Sequence, residues 1–305
     1  MPDVLPTTEL TRGGSRQTRR PEHLVRRTLD STSRRRALRA SLAAFAVLAS
    51  PQGAFRCEIV VVSARYDDIC IIMKNVNPLS VESALRTVAI LGVGAVAAMI
   101  TIFACTKIGQ EPLQSVHGVD DYRRLLLQSP SVLRAVFAFD NAFIVFYSSV
   151  FVLLAIVCLR EGAHRLVLAV ALGALLLTGL LDMIENFHLM SLLASAVQGI
   201  PFSDGDIRFQ SLETLLKFHM SYLGLFLLGF VIPRTTRSGR VLSWINWSVQ
   251  LPVGILIYAT PQRIVHALVL LRFSFFVVGL LLVAKLAHER MRRANTLPLH
   301  AGRVV

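Results

Sequence analysis

Long apolar stretches without charged residues recur along the chain and constrain its fold more than any other feature. A helix that crosses the hydrocarbon core of a membrane needs about 20 apolar residues. Six stretches approach that length, which predicts spanning helices over residues 87–106, 139–160, 165–188, 216–233, 241–260 and 264–286. Only 17% of the 305 residues are charged, against about a quarter in soluble proteins. The sequence therefore predicts an all-α polytopic membrane helix bundle of about six transmembrane helices, surrounded by the lipid bilayer.

Residues 1–72 differ in composition from the rest. Residues 1–40 contain 10 arginines with many Thr, Ser and Pro, which predicts a disordered Arg-rich extension. An alternative is that translation starts at Met73, because Met73 leads directly into the first apolar helix. A further alternative is that residues 41–50 act as the apolar part of a signal segment. We assign residues 73–289 to the transmembrane domain and residues 290–305 to a basic tail.

The formal net charge is +13, and the basic residues lie between apolar stretches. That position is typical of membrane-flanking charge, so we predict no nucleic-acid partner, and protein partners stay unknown. The two shortest loops, residues 160–165 and 234–240, are both basic and fall on one side of a six-helix topology. The positive-inside rule then predicts that both ends are cytoplasmic. The composition, rich in Arg, Ala and Leu, favours the inner membrane of a bacterium.

Polar residues collect at one level of the predicted bundle, near its outer face. Ionisable groups in a bilayer are costly and usually face the interior of a bundle or a cavity. Within one helix, Asp182, Glu185 and Asn186 are spaced i, i+3 and i+4, so they share a face. The candidate cluster comprises Asp140, Asn141, Tyr147, Asp182, Glu185, Asn186, Lys217, His219 and Arg272. We expect Arg272 to be the counter-charge of the carboxylates, in a polar cavity that opens to the outer face.

Three interpretations of this cluster stay open at this point. The carboxylates could be solvated in the headgroup region, could form a structural network that fixes helix packing, or could form a working site. His188, His219 and His266 could supply zinc together with a carboxylate. They lack an HExxH spacing, so we predict no metal site and no cofactor.

A resemblance rests on two short motifs and one lysine. The run from Asp140 to Tyr147 forms an Asp…Phe…Tyr stripe, and Asp182-Met183-Ile184-Glu185-Asn186 follows in the next helix. This pattern resembles that of uncharacterised bacterial multi-pass membrane proteins, in which a lysine opens a later helix, as Lys217 does here. The resemblance covers residues 137–231. It implies that the polar cluster belongs to the family's design, but it implies no activity.

The sequence thus predicts an integral membrane protein of unknown molecular function. One alternative is a membrane-embedded enzyme that modifies a lipid or its headgroup, with Asp182 or Glu185 as a general base. Another is a small proton-coupled transporter in which the same carboxylates change protonation. A third is a structural subunit. The sequence leaves open whether the protein is an enzyme.

Overall fold

The computed structural model describes residues 78–259 and 262–296. The predicted extension over residues 1–72 and the end of the tail lie outside these ranges. The chain forms eight α-helices there, which we number in order: α1 (Pro78–Thr106), α2 (Val119–Leu127), α3 (Pro130–Arg160), α4 (Arg165–Gln198), α5 (Asp204–Val231), α6 (Arg237–Ile245), α7 (Leu251–Ala259) and α8 (Gln262–Thr296). A 3-10 turn, Glu111–Gln114, precedes α2, and a π-helical segment, Asn246–Gln250, joins α6 to α7.

Five helices of the described chain are long and apolar enough to cross a membrane: α1, α3, α4, α5 and α8. The prediction of an all-α membrane bundle is confirmed, but the prediction of six spans is wrong. The predicted span over residues 241–260 is broken into two helices of nine residues each, on either side of the π-helical segment. Pro252 has no N–H to donate to the turn before it, which disfavours a regular α-helix at this point.

The broken segment still runs along its neighbours. A Cβ on Gly229 of α5 would meet Asn246 and Trp247, and one on Gly254 would meet the ring of Tyr222. Residues 239–254 therefore run antiparallel to α5. Packing then closes a ring of elements in the order α1, α3, α4, α5, broken segment, α8 and back to α1.

Local signals in the sequence set several helix ends. Ser203 and Asp206 form a capping box at the start of α5, in which each side chain accepts a hydrogen bond from the other's backbone N–H. Gly199 ends α4 with a φ of 73°, a conformation that glycine adopts without strain. The long α4 and α5 are thereby joined by a short loop and pack along much of their length.

In the part of the chain that the structure describes, the buried apolar residues form two separate cores. The larger core fills the ring and includes Leu85, Ile144, Leu154 and Leu286. The smaller core includes Leu113, Tyr122, Phe137, Leu189 and Ile207. We call residues 110–127 the cap segment. Its 3-10 turn and α2 fold over the ends of α4 and α5, and the smaller core is formed between them.

The opposite end of the ring carries a second set of contacts. Arg290 of α8 donates to Glu82 of α1 at 3.2 Å and to Glu161, just after α3, at 2.7 Å. We call this the Arg290 end. It also holds the loop between α5 and α6, since Ser238 donates to Glu289 and Arg293 donates to the Thr235 carbonyl. The basic loops and helix ends that the positive-inside rule assigned to one side of the membrane therefore lie at the same end of the ring.

Candidate functional site

A lysine and two carboxylates form the centre of the polar cluster, between α4 and α5. The Lys217 ammonium donates to Asp182 Oδ1 at 2.8 Å and also to Glu185 Oε2. Glu185 has no exposed surface, and Lys217 is 5% exposed. The i, i+3 spacing of the two acids on α4 brings both carboxylates to the same face, which α5 covers. The predicted common face of Asp182 and Glu185 is found in the structure.

Neutral donors complete the coordination of these two carboxylates. Tyr147 of α3 donates its phenol O–H to Asp182 Oδ2 at 3.0 Å. Glu185 Oε1 accepts from Gln210 at 3.2 Å and from Thr214, both on α5. A buried carboxylate without such donors would be strongly destabilising. The network therefore satisfies the charged groups without solvent.

Gly179 makes part of this arrangement possible. A Cβ at this position of α4 would lie 2.7 Å from Ser148 Oγ and 3.6 Å from the Tyr147 hydroxyl. The missing side chain therefore lets α3 approach α4 closely enough for the phenol of Tyr147 to reach Asp182.

A third acid, Asp140 of α3, lies in the same cluster and makes no ion pair with a cation of the described residues. Its Oδ2 accepts from Asn186 Nδ2 at 2.7 Å. The same amide nitrogen donates to Asn141 Oδ1 at 3.0 Å. Asp140 is 9% exposed, so its carboxyl group is almost fully removed from solvent.

The cap segment covers this cluster. Gln110 donates to Asn186 Oδ1 at 3.1 Å, and Gln114 donates to Glu185 Oε1 at 3.3 Å. Tyr122 donates to the Leu113 carbonyl at 3.1 Å, which holds the 3-10 turn in place. Burial, together with the negative charge of Glu185, raises the pKa of Tyr122 above its ordinary value, so the phenol keeps its proton. The side chains are packed around the carboxylates, and the outward-opening cavity that we predicted is not found around Glu185.

Two of the predicted cluster members make no described ion pair or hydrogen bond with its carboxylates. Arg272 makes no ion pair with a described acid; its guanidinium carbon lies 3.7 Å from the ring centroid of Phe218. Lys217 takes the place of Arg272 as the counter-charge, because Lys217 lies on α5 directly opposite the acids. His219 is exposed and its Nδ1 contacts its own helix at the Leu215 carbonyl, because a two-residue step along α5 turns its side chain away from Lys217.

The two candidate histidines whose side chains are described, His188 and His219, make separate contacts. His188 Nδ1 lies 2.9 Å from Glu213 Oε2, and the side chain of His266 lies outside the described residues. No group of three His, Cys, Asp or Glu that could hold a metal ion occurs in the described part of the chain.

Sequence reasoning missed four residues that contact the cluster: Gln110, Gln114, Gln210 and Thr214. Gln210, Thr214 and Lys217 follow at i, i+4 and i+7 on α5, so this polar stripe was detectable from helical spacing. Gln110 and Gln114 gave no such signal, because their contacts depend on how the cap segment folds back.

A second polar feature lies deeper in the ring, towards the Arg290 end. Asn246 and Gln250 are both buried and line a cavity of about 30 Å³ with Phe151 and Phe276. A cavity of this size has room for a water molecule. Ser243, one turn from Asn246, donates to the Gly229 carbonyl and accepts from Arg234 Nε at 3.1 Å.

Comparison of the chain with models of known families, with curated proteins and with solved structures gives no match. The resemblance over residues 137–231 therefore identifies no family. The structure shows a multi-pass membrane protein with five long apolar helices and a buried cluster of charged and polar side chains.

Proposed function

We propose that this protein is a proton-coupled carrier, and that Asp140, Asp182, Glu185 and Lys217 form its proton-binding site. The observation that carries the proposal is the charge balance of the cluster. Three carboxyl groups lie in a closed interior with one ammonium group, and that ammonium pairs with only two of them. The remaining polar neighbours that contact them are neutral amides and hydroxyls.

This balance favours the uptake of protons. With all four groups ionised, the cluster holds two more negative than positive charges. Unpaired charge in an apolar interior is costly, so the cluster becomes neutral only when two of the carboxyl groups are protonated. Asp140 is the first candidate for protonation because it lacks a cationic partner. Loss and gain of that proton would change the hydrogen bond to Asn186, and with it the contact of Asn186 with Gln110 of the cap segment.

The buried polar groups beyond the cluster support a path through the ring. Tyr147 extends from Asp182 into an aromatic layer, where its ring centroid lies 6.0 Å from that of Phe276. Phe276 of this layer also lines the cavity with Asn246 and Gln250. Ser243 and Arg234 continue the polar series towards the Arg290 end. A water in the cavity would connect these groups in part.

We further propose that the Arg290 end faces the cytoplasm. The loops and helix ends at this end carry Arg160, Arg165, Arg234, Arg237 and Arg240, which fits the positive-inside rule. In this orientation the cap segment covers the cluster from the outer side.

The alternative of a headgroup-modifying enzyme is less favoured by the same geometry. A lipid would have to approach Asp182 or Glu185, and the surrounding side chains leave Glu185 no exposed surface. A purely structural network is the remaining alternative, and the experiment is designed to separate it from the carrier.

The first measurement is infrared spectroscopy of the purified protein during a pH titration. We expect a carboxylic-acid C=O band that changes with pH and that is absent from the Asp140→Asn variant. Asp120→Asn is the matched control, because Asp120 is an exposed acid of α2. If the wild-type protein lacks a band that depends on Asp140, the proton-binding site is wrong.

The second measurement is proton flux into liposomes under an imposed membrane potential. We expect wild-type protein and Asp120→Asn to carry protons, and Asp140→Asn to lose this flux while keeping the wild-type melting temperature. A pH-dependent band without any flux would contradict the carrier and would leave a structural network.

A further inference from the structure

The exposed face of α6 carries both arginines and apolar side chains. Its buried face contains Ser238, Leu242 and Ile245. Its exposed face contains Arg237, Arg240, Val241 and Trp244, which line a groove of about 360 Å³. These four residues are spaced i, i+3, i+4 and i+7, so they form one continuous stripe.

The two arginines of this groove are available to a ligand. Neither guanidinium pairs with an acid in the part of the chain that the structure describes. Other arginines at this end are engaged, since Arg290 contacts two glutamates and Arg234 contacts Ser243. Two planar guanidinium groups one helical turn apart are suited to bind a phosphate group.

The order of residues along α6 matches the order of groups in a phospholipid. The arginines lie next to the loop that leads from α5, and the apolar Val241 and Trp244 follow further along the helix. Trp244 is 54% exposed, and Trp247 continues the apolar surface. Trp is typical of the boundary between headgroups and hydrocarbon. A charged headgroup beside the arginines would therefore place its acyl chain along the tryptophans.

The position of α6 is fixed by its own contacts. The Thr236 hydroxyl accepts from the Gly239 N–H at 3.0 Å, and Ser238 donates to Glu289 of α8 at 2.9 Å. A Cβ on Gly239 would lie 2.1 Å from the Pro233 carbonyl oxygen. This close approach holds the start of α6 against the preceding loop, so the backbone that carries the two arginines is fixed before a ligand arrives.

We propose that this groove binds an anionic phospholipid, with its phosphate between Arg237 and Arg240 and its acyl chain against Val241 and Trp244. The charge of the groove selects the lipid, because its lining has two positive groups and no acid to meet a choline or ethanolamine. The proposal is independent of proton coupling, since it concerns a surface on the lipid side of the ring.

The test is native mass spectrometry of the full chain, titrated with phosphatidylglycerol or with phosphatidylcholine. We expect the wild-type protein to retain phosphatidylglycerol in preference to phosphatidylcholine. The variant R237Q/R240Q should bind phosphatidylglycerol at least about tenfold more weakly, since each basic residue at a membrane surface contributes substantially to binding of anionic lipid. K285Q/R292Q is the matched control, because it removes the same charge from exposed residues of α8 outside the groove.

Three results would overturn the proposal. One is equal retention of the two lipids by the wild-type protein. Another is an equal loss of phosphatidylglycerol from both double variants, which would indicate general charge attraction. The third is displacement of phosphatidylglycerol by millimolar inorganic phosphate, which would indicate a site for free phosphate. If R237Q/R240Q fails to fold, W244A, which keeps both charges, should still weaken retention relative to F187A, which removes an exposed aromatic side chain of α4 outside the groove.

Discussion

Two ion networks of this protein pair one cation with two acids but have different surroundings. In each, one cation lies between two acids: Lys217 between Asp182 and Glu185, and Arg290 between Glu82 and Glu161. The Lys217 network lies inside the ring and joins neighbouring helices α4 and α5. The Arg290 network lies at the end of the ring and joins α8 to α1 and to the end of α3.

The difference shows which hydrogen bonds an ion network needs when it is buried away from solvent. At the Arg290 end, the side chain of Glu161 is 34% exposed, so solvent completes its coordination. Inside the ring, Tyr147, Gln210, Thr214 and Gln114 provide the hydrogen bonds that water would otherwise provide. Inside the ring a third acid, Asp140, also adds a charge that no described cation balances. The Arg290 network is therefore suited to fixing the helix ends, whereas the Lys217 network is the one to which we assign the proposed proton site.

The largest effect is expected from Lys217→Met. Removing the ammonium leaves Asp182 and Glu185 buried without a counter-charge, which should lower the free energy of unfolding by about 3–5 kcal/mol. Thermal unfolding in detergent would measure the loss, with the exposed Lys285→Met as control. Adding Asp182→Asn and Glu185→Gln to Lys217→Met should restore much of the stability. An unchanged melting temperature for Lys217→Met would contradict the comparison.

A smaller effect is expected from Arg290→Gln. Glu82 is buried and loses its partner, but Glu161 is partly exposed and can be solvated, so we expect a loss of about 1–3 kcal/mol. The same unfolding experiment applies, with Arg292→Gln as the matched control, because Arg292 is an exposed arginine of the same helix. A loss of stability as large as that of Lys217→Met would show that burial does not make the Lys217 network more sensitive than the Arg290 network.

Arg272→Met should have a weaker effect still. Because the Arg272 guanidinium stacks on Phe218 and pairs with no described acid, its loss removes a cation–π contact of about 1 kcal/mol. Unfolding of Arg272→Met and Arg272→Lys would be compared, and the lysine variant should retain part of the contact. If Arg272→Met is as destabilising as Lys217→Met, Arg272 is the counter-charge after all.

The smallest effect is expected from Asp121→Asn on α2. Its ion pair with Arg124 measures 2.8 Å, but both side chains are more than half exposed. Exposed pairs of this kind contribute under about 0.5 kcal/mol, so the melting temperature should stay within experimental scatter. A measurable loss would mean that ion pairs at the surface of the cap segment matter as much as those of the Arg290 end.

Much of the candidate site was accessible from the sequence. Helical spacing placed Asp182, Glu185 and Asn186 on one face, and the seven-residue step from Asp140 to Tyr147 placed both on the inner face of α3. The identity of the counter-charge was not accessible, since Lys217 and Arg272 lie at similar levels and only the packing of α5 on α4 selects Lys217. The failure of the predicted fifth span has a local cause in Pro252 and the polar residues before it, but the sequence alone did not specify a π-helical segment.

The sequence by itself determined that the chain forms long apolar helices, because the length and composition of each stretch suffice for that. It also determined which polar residues share a helical face, since that depends on the helical period alone. The tertiary structure decided which cation meets which acid, how the cap segment closes the cluster, and that Glu82 meets Arg290 across 208 residues of chain. Those contacts join residues that are distant in sequence, so they depend on how whole helices pack and leave no periodic signal in the sequence.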